Sequence, residues 1–388
     1  MVERTHASSP NGQVATPKWH DRGRLGPIAV GRVTLKNPVM NAAGTYGAGA
    51  ELASFGDLSA LGAFVTKSLS LRPWRGNQGH NLTPAPGGGM LNSVGLKNPG
   101  VRRWIEEDYP RLAHTGAAVV VSLWGTTVEA VVSAAMAVEQ YTDAIAIEVN
   151  LSCPNSGSPH LLVSHDPGLI RRQIGAIADR LEHTPVWAKL APSAPDIVAC
   201  AAAAADVGAD AVTLVNTLSA MAVDTASQAP TLSGIYGGLS GPPLHAIALR
   251  AVHQVHAARQ DIPIIGVGGV SDKTTALRMF VVGARAVQVG TACFADPRTP
   301  HKLVTQLSKA FGRGGFDYGA LVGSGVTAVS PHEFGTRVAA PASPDPPGRR
   351  RSRIDIPERA PRRLPPVYAG VARPRPRARG LMRPGEES

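Results

Sequence analysis

Ala144-Ile-Ala-Ile-Glu-Val-Asn-Leu-Ser-Cys-Pro-Asn155 is an alternating apolar run that ends in two amides and a thiol. Its length and Ile/Val content read as a strand. A helical stretch follows over Pro167 to Leu181, and then a second apolar run, Val186-Trp-Ala-Lys-Leu190. Strand, helix and strand in succession predict parallel pairing through a right-handed crossover. Asn150, Cys153 and Asn155 then stand at the carboxyl edge of a parallel sheet, where such folds bind their ligands.

The same alternation extends in both directions. Before it lie Pro38 to Ala43, Ala63 to Lys67 and Ala117 to Ser122; after it lie Ala211 to Asn216, Ile262 to Val267 and Ala286 to Gly290. Helical stretches occupy Thr127 to Gln140, Ala194 to Val207, Pro243 to Ala258 and Lys273 to Val282. Eight strands separated in this way predict an α/β fold closed into a TIM-type (β/α)8 barrel, with its site at the C-terminal face. Leu69 to Gly116 is too long for a plain crossover and is expected to hold a substrate-covering loop plus a helix. Within it Pro86 to Gly100 reads as a turn-rich loop carrying Asn92.

Composition supports a buried sheet: 43% of the 388 residues are hydrophobic but only 5% aromatic, so the core is Ala/Val/Leu/Ile-rich. The net charge of +11 suggests nucleic-acid binding until it is divided. Pro341 to Ser388 holds 12 Arg and 5 acidic residues, a charge of +7, which leaves +4 for everything before it. That segment also holds 11 of the 33 prolines and is expected to be a disordered basic tail, because it cannot bury enough apolar surface to offset ordering. Residues 1–24 read as a shorter flexible segment, and 25–340 as the barrel domain. The three cysteines, Cys153, Cys200 and Cys293, show no C-x-x-C spacing, which argues against a disulfide framework or zinc ribbon and for a reducing cytoplasm. No metal is expected. No apolar run approaches the ~18 residues of a membrane span, and no early apolar segment resembles a leader. Cys200 and Cys293 read as buried core residues.

Chemistry-bearing residues gather at the strand ends: Lys67, Asn150 with Cys153, Lys189, and Asn216-Thr217. A single lysine at a strand end is usually solvated or paired, but several polar ends on one rim describe a site. The last two strands end in Gly266-Val-Gly-Gly-Val270 and Gly290-Thr291. Glycine-exposed backbone N–H groups here suit a phosphate-bearing cofactor. G-V-G-G-V lacks the spacing of a dinucleotide fingerprint.

At these motifs the chain resembles the class 1 dihydroorotate dehydrogenases, from about Leu35 to Phe294. The resemblance is carried by VTKSL (65–69), GMLNSVGLKNPG (89–100), NLSCPN (150–155), VNTL (215–218), GGLSGPP (237–243), GVGGV (266–270) and VGTACF (289–294). It implies FMN contacts at Ala43, Lys67, Ser68, Ser122, Asn150, Lys189, Val215, Gly241, Gly268, Gly269, Gly290 and Thr291. It implies substrate contacts at Lys67, Asn92, Ser93, Val94, Gly95, Leu96, Asn150, Asn155, Asn216 and Thr217, with Cys153 as the catalytic base. Class 2 relatives carry serine at the base position and an N-terminal membrane segment, so Cys153 and the polar N-terminus point away from them. Ala43 and Ser122 depart from the serine and asparagine common at their positions in the subclass that uses an electron-transfer partner.

The implied reaction removes a proton from carbon 5 of dihydroorotate and a hydride from carbon 6, giving orotate for pyrimidine (UMP) biosynthesis. A tunable thiol suits the proton, asparagines suit the ring's amide edges, Lys67 suits its carboxylate, and Lys189 suits negative charge on the reduced flavin. GMLNSVGLKNPG and GGLSGPP resemble class 1B most closely, which implies a separate FAD and iron–sulfur subunit passing electrons to NAD. Three cysteines cannot ligate an ordinary four-cysteine cluster, so any cluster belongs to a partner. A homodimeric core is expected, with neither nucleic acid nor membrane as a partner. The alternatives are a class 1A-like fumarate reductant, a dihydropyrimidine dehydrogenase-like enzyme acting on uracil or thymine, and RNA or membrane-surface binding through the Arg-rich tail.

Overall fold

The computed structural model describes residues 25–151, 163–312 and 317–327. Cys153, Asn155, the expected flexible segment 1–24 and the tail 341–388 lie outside the described residues.

A hairpin of β1 (Ile28–Val30) and β2 (Val33–Leu35) precedes the first barrel strand, β3 (Val39–Asn41), which is followed by β4 (Phe64–Val65). An excursion then forms β5 (Leu82–Ala85), β6 (Gly89–Asn92), α1 (Val101–Glu107) and α2 (Tyr109–Ala113). The regular alternation continues through β7 (Val119–Leu123), α3 (Val128–Tyr141), β8 (Ala146–Asn150), α4 (Pro167–Ala178), β9 (Val186–Leu190), α5 (Ile197–Ala205) and β10 (Ala211–Leu214). A second excursion contains β11 (Leu218–Met221), a small ribbon of β12 (Val223–Asp224) and β13 (Ala229–Pro230), and β14 (Tyr236–Ser240). The chain returns through α6 (His245–Ala258), β15 (Ile264–Val267), α7 (Lys273–Val281), β16 (Ala286–Val289), α8 (Ala292–Ala295) and α9 (Thr299–Gly312).

Eight parallel strands form one sheet in the order β3-β16-β15-β10-β9-β8-β7-β4. All eight expected strands are present in it, trimmed by a few residues. The outer edges, β3 and β4, meet at a parallel bridge between Met40 and Ala63 and at a Gly62 N–H to Val39 C=O bond of 2.8 Å, which closes the (β/α)8 barrel. Gly62 permits this approach, since a Cβ there would lie 2.2 Å from the Asn37 carbonyl oxygen. Asn41 completes the seam. Its buried side chain accepts from the Val65 N–H (3.0 Å) and donates to the Val65 C=O (2.7 Å), replacing a missing ladder partner.

Successive strand residues face opposite sides, which divides the core in two. Ile147 and Val149, Val186 and Ala188, and Val212 and Leu214 face the surrounding helices. Ala146, Trp187, Ala211 and Ala286 point inward, where the β1–β2 hairpin residues Ile28, Val30, Val33 and Leu35 pack into the same cluster. The next inward positions along these strands are Glu148, Lys189, Thr213 and Gln288, all buried. The barrel interior is therefore apolar toward the strand N-termini and polar toward the C-termini. Outside, the helices start where capping residues occur: Thr127, Asp166, Asp196 and Asp272 each accept a bond from the first turn of α3, α4, α5 and α7.

Two features differ from the sequence reading. Pro86 to Gly100 is not simply a loop: Gly89–Asn92 is β6, pairing antiparallel with β5 and with β14. Residues 218–240, where no strand was expected, supply β11 and β14 to the same four-stranded sheet, ordered β11-β14-β6-β5. Glycine-rich strands carry no local alternation, and their pairing joins positions about 150 residues apart, as in Asn92 opposite Gly238. Among the described residues no helix is long and apolar enough to cross a membrane.

Replacing Asn41 with Ala would strand both buried polar groups of Val65 at the seam. Denaturant unfolding of Asn41→Ala is expected to show a loss of about 2–4 kcal/mol, the desolvation cost of two buried backbone groups.

Candidate active site

A cavity of about 340 Å³ opens at the C-terminal ends of the barrel strands, with the four-stranded sheet contributing Leu82, Met90, Asn92 and Ser240 to its wall. Its inner wall is made of strand ends. Ala42 and Ala43 follow β3, Lys67 and Ser68 follow β4, Asn150 ends β8, Lys189 lies on β9, and Val215, Asn216 and Thr217 follow β10. Val267, Gly268 and Gly269 leave β15, and Gly290 with Thr291 leaves β16.

The amides are oriented by one another. Asn216 Nδ2 donates to Asn150 Oδ1 (3.1 Å), Asn150 Nδ2 donates to Ser68 Oγ (3.3 Å), and the Thr217 N–H donates to Asn216 Oδ1 (2.8 Å). Ser68 and Ser122 share a hydroxyl bond of 2.8 Å. On the opposite wall, Asn92 Nδ2 is held at 3.2 Å by the Gly238 carbonyl, a bond across the β6–β14 pair. Fixed amides present both donors and acceptors to a ligand without reorganising.

Two cations reach the cavity from different depths. Lys67 is partly buried, and among the described residues its ammonium has no hydrogen-bond acceptor. Burial lowers its pKa below the usual lysine value; repulsion from Lys97 adds to this, and Glu51 opposes it. Lys189, 5% exposed, is tied down beneath the cavity by Glu148 Oε1 (3.2 Å) and Gln288 Oε1 (3.1 Å). Glu148 has no exposed surface, and its Oε2 accepts from Thr213 Oγ1 (3.0 Å) and Gln288 Nε2 (2.6 Å).

The glycine turn after β15 packs closely against α6. Gly268 and Gly269 have φ of +126° and +66°, and added Cβ atoms would lie 2.8 Å from Ala248 Cβ and 2.7 Å from His245 Cβ. Their side-chain positions thus face the helix, while the residues themselves line the cavity. His245 Nδ1 lies 2.8 Å from the Gly268 carbonyl and braces the turn.

Most of the residues singled out from the sequence converge here. Ser122 and Ser93 do not line the cavity: Ser122 is fully buried behind Ser68, and Ser93, 1% exposed, accepts from Asn77 instead. Cys153 and Asn155 lie outside the described residues. The sequence reading missed the wall residues Ala42, Gly44, Thr45, Leu82, Met90, Ser240, Leu244, Val267 and Phe294. It also missed Glu148, Thr213 and Gln288. Glu148 and Gln288 carried a signal: a charge or an amide at an inward position of an apolar strand requires a buried partner.

Cys200 and Cys293 stand apart from the cavity as buried free thiols, as expected, 1% and 2% exposed. Burial pushes their pKa up to about 11 and about 12. Both should resist alkylation at neutral pH in the native protein and react only after denaturation, as read by peptide mass spectrometry.

The dihydroorotate dehydrogenase family model matches residues 28–311. A "Dihydroorotate dehydrogenase B (NAD(+)), catalytic subunit" from Geobacter sp. (strain M21) is 40% identical over 282 residues, covering 73% of this chain and 92% of that protein. Proteins of the same name from Pelobacter propionicus and Desulforudis audaxviator are 42% identical over 275 residues and 40% identical over 298. The alignments cover 71% and 76% of this chain and 90% and 96% of those proteins. With strand ends, amides, lysines and glycine turns assembled on one barrel rim, and with these matches spanning nearly all of that barrel, the chain belongs to the dihydroorotate dehydrogenase family.

Proposed function

We propose that the chain is the FMN-binding catalytic subunit of a class 1B dihydroorotate dehydrogenase, oxidising (S)-dihydroorotate to orotate in de novo UMP biosynthesis in the cytoplasm. The observation that carries this reading is the convergence of Lys67, Lys189, three oriented asparagines and two glycine-bearing strand ends on one cavity. The residues present fit FMN. Gly268, Gly269, Gly290 and Thr291 offer backbone to its phosphate, Lys189 offers a buried cation to the polar edge of its ring, and Ala42 and Ala43 leave room for a flat ring. When bound, FMN accepts the hydride from carbon 6.

The chain's own groups do the remaining work. Lys67 pairs with the substrate carboxylate. Asn92, Asn150, Asn155 and Asn216, with Thr217, read the ring's amide and imide edges, while Val94, Gly95 and Leu96 enclose it. Cys153 takes the proton from carbon 5. Uracil and thymine have no carboxylate to meet Lys67, which favours dihydroorotate over a dihydropyrimidine dehydrogenase-like reading. The barrel spans residues 25–340, flanked by 1–24 and the basic 341–388. Reoxidation runs through a partner subunit with FAD and an iron–sulfur cluster, delivering electrons to NAD, and two copies of the barrel pair as a homodimeric core.

Mixing the flavin-loaded chain anaerobically with dihydroorotate in a stopped-flow spectrometer tests this reading. Rapid bleaching is expected, slowed about 100-fold or more in Cys153→Ala, with only slow transfer from the reduced chain to NAD. Absence of bleaching, or undiminished bleaching in Cys153→Ala, would contradict the substrate or the base respectively.

The lowered pKa of Lys67 makes a second prediction. Lysine is cationic only below its pKa, so orotate binding should be lost as pH rises through that lowered value. Lys97→Ala removes one cause of the lowering, so binding should persist to higher pH, as measured by titrating flavin absorbance with orotate.

A further inference from the structure

We propose that Glu148 is a positioning residue that holds the Lys189 ammonium aimed at the flavin ring, a role that rests on the FMN reading above. An ammonium has three N–H donors, and Glu148 Oε1 and Gln288 Oε1 accept two from Lys189, at 3.2 and 3.1 Å. Lys189 belongs to the cavity wall, so the remaining donor serves the cavity. Glu148 receives Lys189, Thr213 Oγ1 and Gln288 Nε2, and none of its surface reaches solvent.

The arrangement has a single self-consistent orientation. Reversing the Gln288 amide would set an NH2 group against the ammonium and a carbonyl against the carboxylate. The charges thereby fix Gln288, and Gln288 holds the two charges in register across β8, β9 and β16. Thr213, on β10, fixes the second carboxylate oxygen. Without Glu148, Lys189 loses the carboxylate that fixes its position, and its ammonium is no longer held where negative charge develops on the reduced ring.

A bland alternative has Glu148 merely holding four strands together. The two roles differ in how Glu148 and Lys189 couple. Sulfite adds to the flavin at N5 and leaves an anionic ring, so its affinity reports cationic stabilisation without any turnover. In the FMN-loaded full chain, Glu148→Gln breaks the network by setting an NH2 group against either Lys189 or Gln288 Nε2, and it is expected to retain flavin and to bind sulfite roughly tenfold or more weakly. Lys189→Met should weaken sulfite binding similarly, and Glu148→Gln should add almost nothing in the Lys189→Met background. Unchanged sulfite affinity in Glu148→Gln, or equal weakening in both backgrounds, would overturn the proposal. Should Glu148→Gln fail to fold, Glu148→Asp carries the same test: it keeps the charge but shortens the side chain by one methylene, withdrawing the carboxylate from Lys189 Nζ. Weaker sulfite binding that disappears in the Lys189→Met background supports the proposal, and unaltered binding overturns it. Failure of the parent chain to bind FMN, or of dihydroorotate to bleach it, would instead contradict the function reading.

Discussion

Closing eight parallel strands on themselves is the constraint from which the rest of the molecule follows. Closure leaves no free sheet edge and sets all eight carboxyl ends on one rim, so residues far apart in the chain become neighbours. Lys67, Asn150, Lys189 and Asn216 meet for this reason. The closing seam is also the thinnest part of the sheet. β4 has two residues, and beyond one bridge and one backbone bond the seam depends on the Asn41 side chain standing in for a strand partner. Because Asn41 ends β3, the strand whose continuation forms the Ala42–Thr45 wall, the joint that closes the barrel lies next to the joint that shapes the cavity.

The interior of the barrel changes character along its axis. Below, Trp187 and small aliphatic side chains fill it against the N-terminal hairpin; above, Glu148, Lys189, Thr213 and Gln288 replace them. Desolvating an ion pair costs several kcal/mol per charge, and well-packed apolar residues of similar volume often serve stability as well or better. Stability alone therefore gives no reason for this layer. Its position directly beneath the cavity does, since a pair fully satisfied within the barrel supplies a fixed field to whatever lies above it.

Legibility from sequence followed the range of the interactions. Strands and helices of the barrel were readable because alternation, caps and β-α-β order are local signals, and each inward position obeys a period of two. The residues at the strand ends were readable for the same reason. The four-stranded sheet was not: β6 and β14 are glycine-rich, and their partnership depends on the barrel having already brought the two excursions together. Ser93 and Ser122 show a related difference. A residue's place in a motif does not decide whether its side chain or its neighbour's faces the cavity, and here Ser68 stands in front of Ser122.

The sequence by itself determined the barrel, its polar rim, the family motifs and the separation of a mildly basic body from an arginine-rich C-terminal segment. Each of these is written in periodicity, composition or short contiguous runs. Only the tertiary structure decided which amide orients which, how the covering sheet is assembled, and that Lys189 is held from below by a carboxylate. Those depend on distances between strands that share no sequence neighbourhood. Glu148 is the clearest case: in the chain it is one charge in an apolar run, and only the closed barrel brings β9, β10 and β16 around it to satisfy that charge.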